Sequence, residues 1–175
     1  MWCCPLNTNS NNTKNNTKNN TNNMAAAATV VTAATYENTA PLCLRPTEAK
    51  CVRVYDGDTI WLAFEHAGEV IRCSTRLLGV DTAEIRTRDQ VEKKAALGAR
   101  DELRHLILGK MLRVRTTDTM DKYGRLLADV WLLDAKEDAP SINSQIVARW
   151  GVPYAGGHKE RVSWSEVPRV GTSPL

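Results

Sequence analysis

Residues 50–78, KCVRVYDGDTIWLAFEHAGEVIRCSTRLL, contain the pattern that decides the fold. Polar and apolar residues alternate in 50–55 and again in 59–64, and Asp56-Gly57 lies between these segments as a turn signal. A second turn at 66–69 leads into a further apolar segment, 70–78. This stretch therefore predicts a meander of three strands.

Two helices and two more strands are predicted after the meander. They lie at 90–108 (helix), 110–116 and 126–133 (strands), and 141–150 (helix). Gly109 is expected to stop the first helix, and Ser141 to cap the second. The apolar face of the second helix is expected at Ile142, Ile146, Val147 and Trp150. The element order predicts an α+β protein, mainly β with helices, built as a five-stranded OB-fold barrel. One helix would lie between strands 3 and 4, and the other at the C-terminal end.

The ends of the chain differ in composition from this segment. Residues 7–23 contain only Asn, Thr, Ser and Lys, a composition typical of disorder. We expect residues 1–46 to be a disordered tail and linker, 47–159 the barrel domain, and 160–175 a tail that either docks on the barrel or hangs free. Met1 and Met24 are both possible starts of the protein.

Composition limits the function classes. The 175 residues include no apolar run long enough to span a bilayer and no convincing signal peptide, which favours an intracellular location but leaves the compartment open. We also expect a monomer. The five cysteines lack the spacing of a disulfide framework or a zinc site and are expected to be free thiols. Charges nearly balance between residues 47 and 159, so any phosphate binding must come from locally placed arginines.

Three short segments contain most of the polar residues from which a function can be argued. The first, Asp56-Gly57-Asp58-Thr59, by itself favours a plain tight turn, because Asp and Gly dominate turns. The second, residues 75–84 (TRLLGVDTAE), places Arg76 inside an apolar strand. A buried arginine is costly unless it meets an anion, which can be a neighbouring carboxylate or a bound substrate.

Carboxylates follow that arginine closely. Asp58, Asp81 and Glu84 would repel one another if the fold brought them together, unless a hard cation joined them. Carboxylates with a backbone carbonyl suit Ca²⁺, and the lack of accompanying His or Cys argues against Zn²⁺. The sequence therefore favours calcium if these groups form a site.

The third segment is Asp121-Lys122-Tyr123-Gly124-Arg125. It can be a hairpin turn with flanking charges, or it can supply a second guanidinium and a phenol to the same mouth of the barrel. Two guanidiniums facing a metal suit a phosphodiester that undergoes in-line displacement, because they take up the charge that develops on its oxygens.

In their order and spacing these motifs, D-G-D-T, R-L-L-G-V-D-T-x-E and D-K-Y-G-R, resemble the staphylococcal nuclease (thermonuclease) family over residues 50–159. The ending P-Y-x-G-G-x-K is similar to homologues encoded by large DNA viruses and phages. The resemblance implies a calcium-dependent endonuclease that hydrolyses DNA and RNA and leaves 3′-phosphate ends. An OB-fold mouth favours single-stranded or flexible substrates.

The resemblance also implies a metal site and a position for the attacking water. Asp58 and Asp81 match the carboxylate ligands of the calcium ion, and Thr82 matches the residue that gives a backbone carbonyl. Glu84 matches the residue that holds and activates the water. Ala83 stands where the family usually has proline, so we expect this turn to be less rigid and Glu84 to be less tightly placed.

The remaining implied roles concern the substrate. Arg76 and Arg125 match the pair that clamps the reacting phosphate, and Lys122 and Tyr123 match contacts to the neighbouring phosphate on the 3′ side. Tyr154 is the candidate for the aromatic residue that stacks on a base. Three further polar residues are more typical of a solvated surface, although two of them are candidate phosphate contacts: Arg86, Arg88 and His158.

A second class of protein stays open, namely a non-catalytic OB-fold module that binds nucleic acid or protein. Members of the family of that kind have lost the acidic cluster and the arginines, whereas this chain keeps five of those side chains: Asp58, Arg76, Asp81, Glu84 and Arg125. A sugar-binding or toxin-type OB-fold would leave the D-K-Y-G-R turn unexplained. The sequence therefore favours the enzyme.

Overall fold

The computed structural model describes residues 31–32, 34–39, 42–155 and 163–164. The chain divides into two compact units, Met1–Leu42 and Cys43–Leu175. In the first unit, Thr35 and Asn38 exchange hydrogen bonds across a turn, with 2.7 Å between the Thr35 amide nitrogen and the Asn38 side-chain oxygen. Most of the tails expected at 1–46 and 160–175, and His158, lie outside the described residues.

The second unit contains seven strands and two helices among its described residues. They are β1 Glu48–Val54, β2 Thr59–His66, β3 Glu69–Leu77, β4 Val80–Thr82, α1 Gln90–Ile107, β5 Met111–Thr116, β6 Leu126–Leu132, α2 Ile142–Trp150 and β7 Gly151–Pro153. Five strands close into a barrel in the order β1-β2-β3-β6-β5. The predicted five-stranded α+β barrel, with a helix between its third and fourth strands, is confirmed.

Strand β2 shows why the alternating pattern forms the barrel. Ile60, Leu62 and Phe64 point into the core and are at most 7% exposed, whereas Trp61 and Ala63 between them face outward. Successive side chains of a strand point to opposite faces, so one row fills the barrel and the other covers its outside. Cys51 belongs to the same core, where burial raises the pKa of its thiol to about 11.

Helix α1 begins at an aspartate cap and ends at a glycine. Asp89 accepts hydrogen bonds from the amides of Val91 and Glu92, which have no partner inside the helix. The helix ends at Ile107, one residue earlier than predicted, and Leu108 caps it. Gly109 follows with φ +78°, a conformation that glycine adopts without strain. The buried face consists of Ala95, Ala96, Ala99, Leu103 and Ile107.

The sequence analysis missed a second sheet, in which β4 pairs antiparallel with β7. Each of these strands has only three residues, too few for any alternating pattern to be recognised. A Cβ atom at Gly151 would lie 2.7 Å from the Asp81 carbonyl oxygen, so the close approach of these strands requires glycine here. This small sheet fixes the backbone of Asp81 and Thr82 beside the barrel.

Helix α2 has Ser141 as its cap, as predicted, and buries Ile142 and Ile146. The expected face was incomplete because Asn143, a polar residue, is also buried and only 4% exposed. Its amide nitrogen donates to the carbonyls of Leu78 and Ala128, at 2.9 Å each, and its oxygen accepts from the Val130 amide at 3.1 Å. Asn143 therefore ties the turn after β3 to strand β6.

Two other features bear on the expectations from the sequence. Within the described ranges, no helix combines the length and the apolarity needed to cross a membrane. Cys43, Cys51 and Cys73 are free thiols.

Candidate active site

The loop between β1 and β2 is shaped by the Asp56 carboxylate. Its Oδ1 accepts hydrogen bonds from the amides of Asp58, at 3.1 Å, and Thr59, at 2.7 Å, which turns the chain sharply. Gly57 is needed here for space, since a Cβ atom would lie 2.8 Å from both Thr82 Oγ1 and Ala99 Cβ. The glycine lets this loop approach α1 and the small sheet closely, which buries Asp58 beside Thr82.

Arg76 reaches two acidic residues from the end of β3. Its Nη1 lies 2.8 Å from Asp58 Oδ1, and its Nη2 lies 3.5 Å from Asp81 Oδ1. Nη2 also donates to the Val80 carbonyl at 3.0 Å. The guanidinium is therefore paired with neighbouring carboxylates, the first of the two explanations that the sequence left open, and its side chain is 16% exposed toward a cavity.

Arg125 is held by the tight turn that precedes β6. The Asp121 carboxylate accepts from the amides of Tyr123 and Arg125 with Oδ1, and from Arg125 Nε with Oδ2 at 2.7 Å. Gly124 has φ +73°, which this turn requires. Arg125 Nη1 then donates to Thr59 Oγ1 at 3.2 Å, and the Thr59 hydroxyl donates to Asp58 Oδ1 at 2.9 Å.

Hydrogen bonding and burial shift two carboxyl groups in opposite directions. Burial, and then the negative charge of Asp58, raise the pKa of Asp56 to about 6. Partial burial alone would raise the pKa of Asp121, but hydrogen bonds from Arg125 and Tyr123 outweigh it and lower this pKa. Asp121 is therefore ionised at neutral pH and anchors Arg125, whereas negative charge is crowded around Asp58.

A cavity of about 1200 Å³ opens over these groups. Seven of the eight residues singled out from the sequence line it: Asp58, Arg76, Thr82, Glu84, Lys122, Tyr123 and Arg125. The eighth, Asp81, is 1% exposed and contacts Arg76 from behind. The fold thus gathers residues from three separate segments, as the motifs predicted.

Glu84 is exposed at the cavity wall, on a loop that α1 holds in place. Glu92, in the first turn of α1, accepts from the Glu84 amide at 3.4 Å and from the Thr87 hydroxyl at 2.6 Å. Ala83 is buried in a cluster with Trp164, which is 8% exposed. Trp164 is thus packed in the same cluster as Ala83, the residue before Glu84.

The donor set suits a hard divalent cation. Carboxylate, hydroxyl and carbonyl oxygens surround the Asp58 end of the cavity, and its lining contains neither cysteine nor histidine. A cation there would offset the negative charge of Asp58, which after burial is the second cause of the raised pKa of Asp56. Within the described part of the chain, no group of three or more Asp, Glu, His or Cys side chains is close enough to hold a metal. Two carboxylates and a carbonyl would therefore need water to complete the shell.

Several residues of the site were missed or left undecided in the sequence analysis. Asp56 was interpreted only as part of a turn, although its spacing from Asp58 could have suggested a second buried carboxyl group. Glu92 and Asn143 gave no signal, because their partners are set by tertiary packing. Tyr154 lines the cavity, and its ring lies 5.6 Å from the Arg76 guanidinium carbon. Arg86 and Arg88 are exposed on the Glu84 loop.

A closed five-stranded barrel with arginines and acidic residues in one cavity is the architecture of an OB-fold domain with a polar binding site. Residues 74–152 match the family model described as staphylococcal nuclease homologue. The matched segment includes Arg76, Asp81, Glu84 and Arg125, whereas Asp58 precedes it. No curated protein matches the chain. This segment of the barrel domain is therefore similar to the staphylococcal nuclease homologue family, and the similarity indicates a nuclease-type function.

Proposed function

We propose that this protein is a calcium-dependent endonuclease that hydrolyses phosphodiester bonds of DNA and RNA by in-line attack of water. The observation that supports this most directly is the convergence of two guanidiniums on one pair of residues. Arg76 contacts Asp58 at 2.8 Å, and Arg125 contacts the adjacent Thr59 at 3.2 Å, both in the cavity that Glu84 lines. We expect a monomer whose products carry 3′-phosphate ends, as the family resemblance implies.

The metal would be held by Asp58 and Asp81 through their carboxylates and by Thr82 through its carbonyl. All three are at most 5% exposed, and the β4–β7 ladder and Gly57 keep them together. When bound, Ca²⁺ would supply positive charge against a non-bridging oxygen of the scissile phosphate. Oxygen donors alone suit calcium better than zinc.

The two arginines would both bind the reacting phosphate beside the Asp58–Thr59 loop, which each of them contacts. Each guanidinium is anchored by a carboxylate, Arg76 by Asp58 and Arg125 by Asp121, so little side-chain freedom is left to lose when the phosphate binds. Planar N–H forks match two phosphate oxygens at once, and they stabilise charge that grows in the transition state.

Glu84 would orient the attacking water and take its proton. Its loop is anchored at the Glu84 amide and at Thr87 by Glu92, which supports a defined position for an exposed carboxylate. Lys122 and Tyr123 are exposed at the cavity rim, where they would contact the next phosphate of a flexible strand. These roles leave room for a single strand with its bases splayed.

The test is digestion of single-stranded DNA and RNA by the purified full chain, with Ca²⁺ and then with excess EGTA. A Glu84→Gln, Arg76→Ala double variant, purified in parallel and checked for folding by circular dichroism, controls for contaminating nucleases. Cleavage that needs Ca²⁺ and is lost in the folded double variant would support the proposal. A folded wild type that cleaves neither substrate with any divalent ion would refute it, and would favour a non-catalytic binding module.

A further inference from the structure

The outer face of strands β1 to β3 carries a basic and aromatic surface that the proposed catalytic roles do not use. We call it the outer patch, and it consists of Tyr55, Trp61, Lys50, Arg53 and Arg72. Tyr55 is 42% exposed, Trp61 is half-buried, and the three basic side chains are exposed. Lys50, Arg53 and Arg72 form no ion pair with any residue in the described ranges.

The strand register connects this patch to the catalytic cavity. Thr59 pairs with Arg76, and two residues further along the same strands Trp61 pairs with Ser74. Residues two apart on a strand share a face, so Trp61 lies in the next outward row, about 7 Å from the Thr59–Arg76 pair. Another two residues along β2, Ala63 pairs with Lys50 of β1 and with Arg72 of β3, and these three residues form a third row.

A β-bulge determines which residue faces Trp61. The register of β1 and β2 shifts between Cys51 and Arg53, so that Arg53 pairs with Trp61. In an unbroken ladder, Val52 would occupy that position. The bulge therefore places a cation beside the indole ring, and Arg72 lies over the ring from the other neighbouring strand, with 5.8 Å between its guanidinium carbon and the ring centroid.

These rows have the chemistry of a surface for single-stranded nucleic acid. The paired residues of these three rows include no acidic side chain. The half-buried Trp61 ring has Arg53 and Arg72 on its two neighbouring strands, and the exposed Tyr55 follows β1 directly. Aromatic rings and guanidinium planes stack on bases, while unpaired cations bind the phosphates. A row spacing of about 7 Å exceeds the about 3.4 Å between nucleotides of a stacked strand, so it suits an unstacked one.

A second half-buried tryptophan on the barrel strands, Trp131, shows that this pattern is not general. Trp131 on β6 is also flanked by arginines, Arg113 and Arg115. However, Arg115 is paired with Asp129 at 3.0 Å, and the indole N–H of Trp131 donates to the Ala139 carbonyl. The positive charge beside Trp131 is partly neutralised and its indole ring is held by a hydrogen bond, so Trp131 provides a matched control.

We propose that the outer patch is an extended binding site that holds a single strand of nucleic acid beyond the scissile phosphate. The inference deepens the proposed function and rests on it for the identity of the substrate. Bases next to the cleavage position would stack on Tyr55 and Trp61, and their phosphates would contact Arg53, Arg72 and Lys50. Long substrates would therefore bind more tightly than short ones.

The test measures binding separately from cleavage. Fluorescence anisotropy in EDTA measures the binding of labelled oligo-dT of about 4 and about 12 nucleotides. The proteins compared are the wild type and four variants, each checked for folding by circular dichroism: Trp61→Leu, Trp61→Phe, Arg53→Gln/Arg72→Gln and Trp131→Leu. We expect Trp61→Leu to weaken binding of the long oligonucleotide by about 5-fold to 150-fold, and to change the short one by less than about twofold. Trp61→Phe should keep most of the affinity, and Trp131→Leu all of it.

The double arginine variant changes only exposed side chains, so it remains informative even if Trp61→Leu fails to fold. It should lower the slope of log affinity against log salt by about 0.7 per charge removed. Equal binding of long oligonucleotides by wild type and the patch variants would overturn the inference, and calcium-dependent cleavage by the same wild type would leave the nuclease proposal intact. Loss of long-strand affinity in the patch variants, with no cleavage by wild type, would support the patch and refute the nuclease.

Discussion

Replacing Arg125 by alanine tests the proposed phosphate-binding role, because the structure allows the effect on stability to be separated from the effect on rate. The side chain forms one ion pair with Asp121, at 2.7 Å, and one hydrogen bond to Thr59, at 3.2 Å. Losing both costs about 1–2 kcal/mol. A domain stable by about 5–15 kcal/mol stays folded after such a loss.

The expected effect on the reaction is much larger. An arginine that stabilises the transition state of phosphoryl transfer is worth about 10³–10⁵ in rate, or about 4–7 kcal/mol. We therefore expect Arg125→Ala to lower kcat/KM by that factor while the thermal unfolding temperature falls only slightly. Arg125→Lys should recover little of the loss, since a single ammonium group cannot contact Asp121 and two phosphate oxygens together.

The assay is the initial rate of cleavage of a quenched fluorescent oligonucleotide with Ca²⁺, together with a thermal melt of each variant. Arg115→Ala is the matched control, because Arg115 also has an ion pair, to Asp129 at 3.0 Å, but is not among the residues that line the cavity. It should cleave at the wild-type rate. Retention of more than about a tenth of kcat/KM by folded Arg125→Ala would refute the assigned role, since an arginine at the transition state is worth at least about 10³.

Two further predictions concern the supports of the site. Asn143→Leu should lower the free energy of unfolding by about 2–4 kcal/mol, because the buried Val130 amide and the Leu78 carbonyl lose their side-chain partner. Urea denaturation measures this change, and a loss below about 1 kcal/mol would contradict it. Asp121→Asn should be less stable than wild type near neutral pH, because hydrogen bonds lower the pKa of Asp121 in the folded state. The stabilisation from the ionised Asp121 carboxylate is fully present above the pKa of an aspartate in the unfolded chain, about 3.9. It is lost as the pH falls through the lower pKa that Asp121 has in the folded protein. The two proteins should therefore converge in thermal melts at acidic pH, and a difference that stays constant with pH would count against the Asp121–Arg125 anchor.

The elements that were predicted correctly are those whose signal is local. The alternation in β2 and the glycine after α1 depend on the chain's own period and turn chemistry, so they can be recognised without a structure. The small β4–β7 sheet could not be recognised, because a three-residue strand exists only where a partner strand is supplied by the fold. The buried Asn143 was missed for the same reason, as its three hydrogen-bond partners come from other elements.

The sequence alone determined which chemical groups the site could contain. The three motifs supply carboxylates, guanidiniums and a phenol, and residue type together with motif order was enough to indicate a nuclease family. Only the tertiary structure decided how they pair. Arg76 reaches Asp58 across 18 positions because β2 pairs with β3, and Arg125 reaches Thr59 across 66 because β6 pairs with β3. The outer patch is a similar case, because the bulge that brings Arg53 opposite Trp61 is a property of strand register, which residue composition does not encode.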